Sequence, residues 1–249
     1  MEATVYEVEA AVEGTHWWFV GRRRLFAREL ARAGIRRGGR VLDIGTSTGA
    51  NLRLLRDLGF RDVTGVDANE NALRFCRSKG LGPVQLGDAC NLPFPSGSFE
   101  LVLATDIIEH VDDDARALGE INRVLAPEGK ALITVPAFQS LWGLQDEQAH
   151  HKRRYRLRAL SARIEVSGLK PLAGYYFNYL LFVPIWAARR IIARLGIRLE
   201  SEAQVNTPLI NALLSLIFSL DVATARWIRP PFGVSILFMA EAAGSGIHA

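Results

Sequence analysis

Cysteine is scarce in this chain. Among 249 residues only Cys76 and Cys90 occur, too few for a disulfide framework and without the spacing of a zinc site. Low-complexity tracts and internal repeats are absent from the sequence as well, which excludes solenoids and extended flexible linkers. A basic segment followed by an apolar run is not read at the start, so the expected location is the cytoplasm, with membrane-peripheral contact as the variant. Neither sign of charge is short: 30 Lys and Arg against 26 Asp and Glu leave a net +4. The arginines gather at 22–24, 36–37, 152–158 and 189–198 with few aromatics between them. That pattern describes solvated faces with some affinity for anionic surfaces, and no nucleic-acid partner is expected. One uncharged stretch, residues 171–188, approaches the roughly 20 residues of a membrane span. Gly174, Asn178 and Pro184 interrupt it, so the expectation is peripheral membrane contact through 175–195, or the lining of an apolar pocket.

What is present is an alternation. Apolar strand-like runs at 40–44, 62–67, 83–87, 99–105 and 129–136 are separated by helical patterns at 49–58, 70–79 and 112–125. Such alternation predicts βαβ units, a parallel sheet and right-handed crossovers. Two helical patterns precede it, Glu2 to Glu13 and Arg22 to Ala33. Beyond Pro136 the period is lost. Residues 137–156 are rich in aromatics, His and Arg, as a lid or substrate loop would be. A helix near 157–167, a strand over 168–178, apolar helices at 179–195 and 208–227, and a last strand over 234–240 complete the reading. The chain is expected to be one domain over 1–249: a helical cap at 1–38, a core at 39–136, a lid at 137–156 and a helical insertion at 179–230 before the last strand.

The densest signal is Val41-Leu42-Asp43-Ile44-Gly45-Thr46-Ser47-Thr48-Gly49-Ala50-Asn51-Leu52. It reads as a buried strand, a glycine turn and a helix start, which leaves backbone N–H groups and a small-residue floor facing a ligand. Polar residues then recur at the ends of the following strands: Asp67, Asp88, and the pair Thr105-Asp106. Any one of these aspartates alone reads as a helix cap or turn. In a parallel sheet, ligands bind at the carboxyl ends of strands beside the switch point, so polar residues in register there describe one extended ligand.

These residues resemble the class I S-adenosylmethionine-dependent methyltransferases, strongly over 40–136 and loosely beyond. The resemblance implies a Rossmann-like α/β fold, a seven-stranded, mostly parallel sheet flanked by helices with an antiparallel last strand. It implies S-adenosylmethionine as cofactor, S-adenosylhomocysteine as product, and a small-molecule or lipid-like acceptor. The family pattern acidic-x-Gly-x-Gly-x-Gly is met by Asp43, Gly45, Ser47 and Gly49, with Ser47 in place of the middle glycine. Thr46 and Asn51 lie within the same turn and helix start. By the same resemblance Asp67, followed by Ala68, takes the ribose hydroxyls. Asp88 and Ala89 meet the adenine, and Thr105 and Asp106 lie at the methionine end. A carboxylate suits a diol because it offers four lone-pair sites.

Asp146, His151, Arg153, Arg154 and Tyr155 resemble an Asp-x4-His-x-Arg-Arg-Tyr lid found in a subgroup often met beside glycan and lipid biosynthesis. There His151 and Tyr155 are candidate catalytic groups, His151 as a base of near-neutral pKa. The competing reading is a structural network that holds the lid. His110 is either a substrate or cofactor contact or a helix-start residue. His16-Trp17-Trp18-Phe19 with Arg22 and Arg23 resembles the segment that folds over the cofactor, and Trp18 and Arg23 are the candidates for that contact. No metal-binding cluster of His and carboxylates stands out in the sequence, so no metal is expected.

Two other classes are weighed. Gly45-x-Ser47-x-Gly49 also spells a hydrolase nucleophile elbow, but it follows the first strand, lacks an oxyanion segment before it, and has only His248 as a late histidine. A nicotinamide enzyme lacks the third glycine of its fingerprint. A cofactor-binding module without transfer activity stays open.

Overall fold

The computed structural model describes residues 9–195 and 207–243. The chain opens with helical residues 9–12, then α1 (Trp17–Ala33), β1 (Arg40–Ile44), α2 (Ala50–Asp57), β2 (Asp62–Asp67), α3 (Glu70–Ser78) and β3 (Val84–Leu86). It continues through β4 (Phe99–Thr105), α4 (Asp114–Val124), β5 (Leu125–Pro136), α5 (Leu144–Gln148), α6 (Leu157–Val166) and β6 (Leu169–Phe177). It closes with α7 (Phe182–Leu195), α8 (Pro208–Ile228) and β7 (Ser235–Ala242).

One seven-stranded sheet runs in the order β3-β2-β1-β4-β5-β7-β6. The first five strands are mutually parallel, and β7 enters antiparallel between β5 and β6. Chain order moves outward from β1 to β3 and then returns to β4, so the switch point lies between β1 and β4. The expected architecture holds.

Strand period explains the two cores. Leu42, Ile44, Val102, Ala104 and Ile133 face α4 and α6, while Val41, Leu101, Leu103 and Leu132 face α1 and α8. Strands covered on both faces are apolar at successive positions, which is why β1 and β4 read as continuous hydrophobic runs.

Three boundaries differ from the sequence reading. Part of the predicted helix at residues 2–13 lies outside the described residues. The strand expected over 129–136 begins earlier, at Leu125, and is interrupted: Phe99 pairs with Leu125 and Leu101 with Lys130, with Glu128 at φ 62 taking up the register shift. The uncharged run 171–188 is not one segment. Its first part is β6, with Tyr175, Tyr176 and Phe177 buried in the sheet, and its second part is the start of α7.

Candidate cofactor and acceptor site

The glycine turn is built as its residues require. Gly45 (φ 74) and Gly49 (φ 86) are left-handed, and Ser47 adopts the same region at φ 47. A side chain there costs about 1 kcal/mol, so this serine holds a conformation that glycine prefers. A Cβ on Gly45 would stand 1.8 Å from Ile107 Cδ1, which ties the turn to the loop after β4.

Strand-end carboxylates surround this turn. Asp67 Oδ2 accepts from the Ser47 N–H at 3.0 Å, and its Oδ1 accepts from the Asn69 N–H at 2.9 Å. The Ala68 N–H is a further donor to this carboxylate, whose four lone-pair sites are thus not all taken. Burial raises the Asp67 pKa, and the backbone N–H bonds oppose that shift. Asp43 is fully buried at the end of β1, its Oδ1 accepting from Asn51 Nδ2 at 3.0 Å while Oδ2 has no hydrogen-bond partner. Burial pushes it up to about 7. Asn51 also donates to Thr105 Oγ1 at 2.9 Å, joining β1, α2 and β4. Asp88 is exposed, with its Oδ1 turned to the Cys90 N–H at 2.8 Å, and Ala68 is exposed beside Asp67. Ala89 packs partly against the α4-side core.

Asp106 stands at φ 56 and pairs through Oδ2 with Arg22 at 2.9 Å, while its Oδ1 accepts from Thr134 Oγ1 at 3.1 Å. Of the two arginines that the segment offers, Arg22 is the one paired with Asp106. Arg22 lies over Trp18 (5.6 Å) and Phe26 (5.3 Å), one turn away on either side, while Arg23 is half-buried and feels the Glu13 carboxylate. Trp18 is stacked between Phe177 and Phe218, so its ring seats α1 on the sheet and α8. A contact missed in the sequence comes from residues 9–13. Glu9 Oε2 accepts from Ser47 Oγ at 3.0 Å, Glu13 accepts from Thr48 Oγ1, and Lys79 Nζ bonds Glu13 Oε1 at 2.9 Å. Among the described residues the Ser47 hydroxyl therefore meets a carboxylate and no histidine, and His248 lies outside them.

The segment after β5 is held by one buried carboxylate. Asp146 receives Arg154 Nε at 2.7 Å on Oδ1 and an Arg154 terminal nitrogen at 2.9 Å on Oδ2, together with the Gly143 N–H at 2.9 Å. Its Oδ1 also contacts His151 Nδ1 at 2.8 Å. Burial alone opposes ionisation of Asp146, yet the His151 and Arg154 hydrogen bonds bring it to about 2. His151 and His110 meet edge to face, with ring centroids 4.6 Å apart. Burial, then the nearby His151, lowers His110 to about 4, so this ring is neutral near pH 7. Beneath them Glu109 is fully buried and neither oxygen has a hydrogen-bond partner. Tyr155 lies inside the core, where its hydroxyl donates to Asp114 Oδ2 at 2.8 Å and burial raises its pKa, the arrangement of the structural network weighed for the lid.

Comparison with known proteins finds similarity over part of the chain. Residues 42–133 match the family model described as a methyltransferase domain. Over 129 residues the chain is 34% identical to a demethylmenaquinone methyltransferase of Staphylococcus aureus, a match that takes in 47% of this chain and 54% of that protein. The chain thus spans about half the length of the curated relatives it matches. A Haloferax volcanii structure, of a complex with the Trm112 methyltransferase activator, aligns over 98% of this chain and 97% of its own at TM-score 0.66 and 20% identity. The Haemonchus contortus phosphoethanolamine N-methyltransferase 2, solved with S-adenosyl-L-methionine, aligns over 86% of this chain and 51% of its own at TM-score 0.55 and 21% identity. Identities this low speak for the fold alone.

Proposed function

We propose that this chain is an S-adenosylmethionine-dependent methyltransferase acting on a small or lipid-like organic acceptor. The observation that carries this reading is the convergence of Asp43, Asp67, Asp88, Thr105 and Asp106 on the carboxyl edge of neighbouring strands around the β1/β4 switch point. The residues fit the cofactor. Asp67 retains acceptor capacity for a diol hydroxyl, and the orphaned Oδ2 of Asp43 sits buried where a donor is lacking. Asp88 and Ala89 serve the adenine edge, and Ala68 the ribose side. Gly45, Thr46, Ser47 and Gly49 form the floor. Thr105, Asp106 and Arg22 hold the amino-acid end.

When bound, S-adenosylmethionine supplies a methyl group on a sulfonium, already a strong electrophile. What the protein contributes is alignment, and fixing an acceptor in line supplies much of such a rate. His110 and His151, with Asp146 orienting His151, form the acceptor end of the site. The lid motif Asp146, His151, Arg153, Arg154 and Tyr155 supports the glycan-and-lipid subgroup reading, and the S. aureus relative's name supports a quinone-like lipid acceptor. Peripheral membrane contact fits that acceptor. Val183, Trp186 and Ile191 of α7 and Leu209, Leu213, Leu216 and Leu220 of α8 are exposed apolar side chains.

Calorimetry with S-adenosylmethionine and S-adenosylhomocysteine tests the reading, with fluorophosphonate labelling as control. Micromolar binding is expected, and Asp67→Ala is expected to weaken it by about 1–3 kcal/mol, the loss of charge-assisted hydrogen bonds. Absence of binding, or labelling at Ser47, overturns the assignment.

A further inference from the structure

Glu109 presents an unsolved problem of burial. It is fully shielded from solvent, and both carboxylate oxygens lack hydrogen-bond partners. A buried polar group without a partner calls for an explanation, among them an ion that the group would hold. Beside it stand two imidazoles. The ligand atoms of Glu109, His110 and His151 all lie within 4.8 Å of one another, with His151 Nε2 at 4.0 Å from Glu109 Oε1.

Each ring already has a hydrogen-bond partner outside the cluster. His151 Nδ1 meets Asp146 Oδ1 at 2.8 Å, and Arg154 fixes that carboxylate with two hydrogen bonds. His110 hydrogen-bonds to the Ala149 backbone. Metal-ligating histidines characteristically give their second ring nitrogen to a carboxylate or backbone carbonyl, which fixes the tautomer and aims the free lone pair. For His151 that lone pair is on Nε2, the atom facing Glu109.

We propose that Glu109, His110 and His151 bind one divalent first-row transition-metal ion. Two neutral imidazoles and one carboxylate are the ligand set of zinc and of non-haem iron, manganese or cobalt sites that keep open positions. Bonds of about 2.1 Å set neighbouring ligand atoms about 3.4 Å apart in a tetrahedral site, so the three side chains draw in by about an ångström or less. An ion there gives the unpartnered Glu109 oxygens a partner. Asp106, Glu109 and His110 share the loop after β4, so the ion would stand at the acceptor end of the site and take an oxygen donor of the acceptor as a further ligand. That last role alone rests on the methyltransferase reading; binding of the ion does not.

The test is a visible-absorption titration of chelator-treated protein with Co2+ alone, followed by displacement with Zn2+. One Co2+ per chain with a d–d band between 500 and 700 nm, roughly the range of low-coordinate nitrogen and oxygen sites, is the expected result. Glu109→Gln, isosteric but uncharged, and His151→Ala are each expected to weaken Co2+ binding at least about tenfold. His150→Asn, exposed and tolerant of the left-handed backbone at φ 55, is expected to bind as the parent does. Sub-stoichiometric Co2+ in the unmodified chain, or full affinity in Glu109→Gln, overturns the proposal. Calorimetry with S-adenosylmethionine on Glu109→Gln reads the cofactor site separately, so failure of one reading is not failure of the other.

Discussion

At the residue scale the informative side chains are those that the fold leaves in debt. Asp43 loses its water on burial and recovers only one hydrogen bond, from Asn51. Its pKa of about 7 means that the folded chain holds this proton through a range where the unfolded chain, at about 4, has released it. Between those values the unfolded state binds fewer protons, so this contribution to stability is complete below about pH 4 and is lost as pH rises through about 7. Asp43→Asn is expected to remove that slope. Urea unfolding of both proteins across this range checks it, and parallel curves would show that Asp43 is ionised throughout. Asp221, pushed by burial to about 6, carries the same sign, so the difference between the two proteins is the quantity to read. The aspartates at 43, 67, 88 and 106 were legible in the sequence because strand ends are predictable from period and turn residues. The orphaned Glu109 was not, since nothing local in Ile107-Ile108-Glu109-His110 distinguishes a buried glutamate from a solvated one.

At the element scale, α1 and α8 hold each other. Phe218 is fully buried between Trp17 (5.3 Å, edge on) and Trp18 (5.3 Å, stacked), and a Cβ on Gly21 would stand 2.1 Å from its ring. Glu29 of α1 pairs with Arg226 of α8, and the Trp17 N–H donates to Asn211 at 2.8 Å. Phe218→Ala is expected to cost about 3–5 kcal/mol, near the upper end of single-site effects because the ring touches three elements. A thermal scan should show a drop of roughly 2–4 °C per kcal/mol. S-adenosylmethionine affinity should fall with it, because Arg22 reaches Asp106 from the same helix. An unchanged transition would mean that α1 is seated by its ion pairs instead. The helical character of 208–228 was readable from its apolar run. Its partner was not, since residues about 200 positions apart meet only through the sheet.

At the scale of the whole molecule one face of α8 is buried and the other is bare. Phe218, Asp221, Val222 and Ala225 face inward, and the Asp221 carboxylate accepts from the Asn178 and Leu180 N–H groups. Leu209 (84% exposed), Leu213, Leu216 (70%) and Leu220 form an outward stripe at helical spacing. The helix is long and apolar enough to cross a membrane by length and composition, and it packs against α1 and β6, so the peripheral membrane contact proposed above would lie along its outward stripe. Co-sedimentation with anionic vesicles is expected for the unmodified chain and is expected to drop in the double variant Leu213→Glu, Leu220→Glu, whose thermal transition should stay in place because both positions are solvent-facing. Equal sedimentation of the two would remove the stripe as a membrane surface. By itself the sequence determined the strand and helix order, the glycine turn and the carboxylates around it, because periodicity, turn chemistry and strand-end position are local properties. The tertiary structure alone decided that Arg22 pairs with Asp106, that Tyr155 sits in the core, that the first part of the uncharged run 171–188 belongs to a strand, and that Glu109, His110 and His151 stand together. Each of these depends on which side chains from distant segments share a space, and burial is set by the packed sheet rather than by any residue's neighbours in the chain.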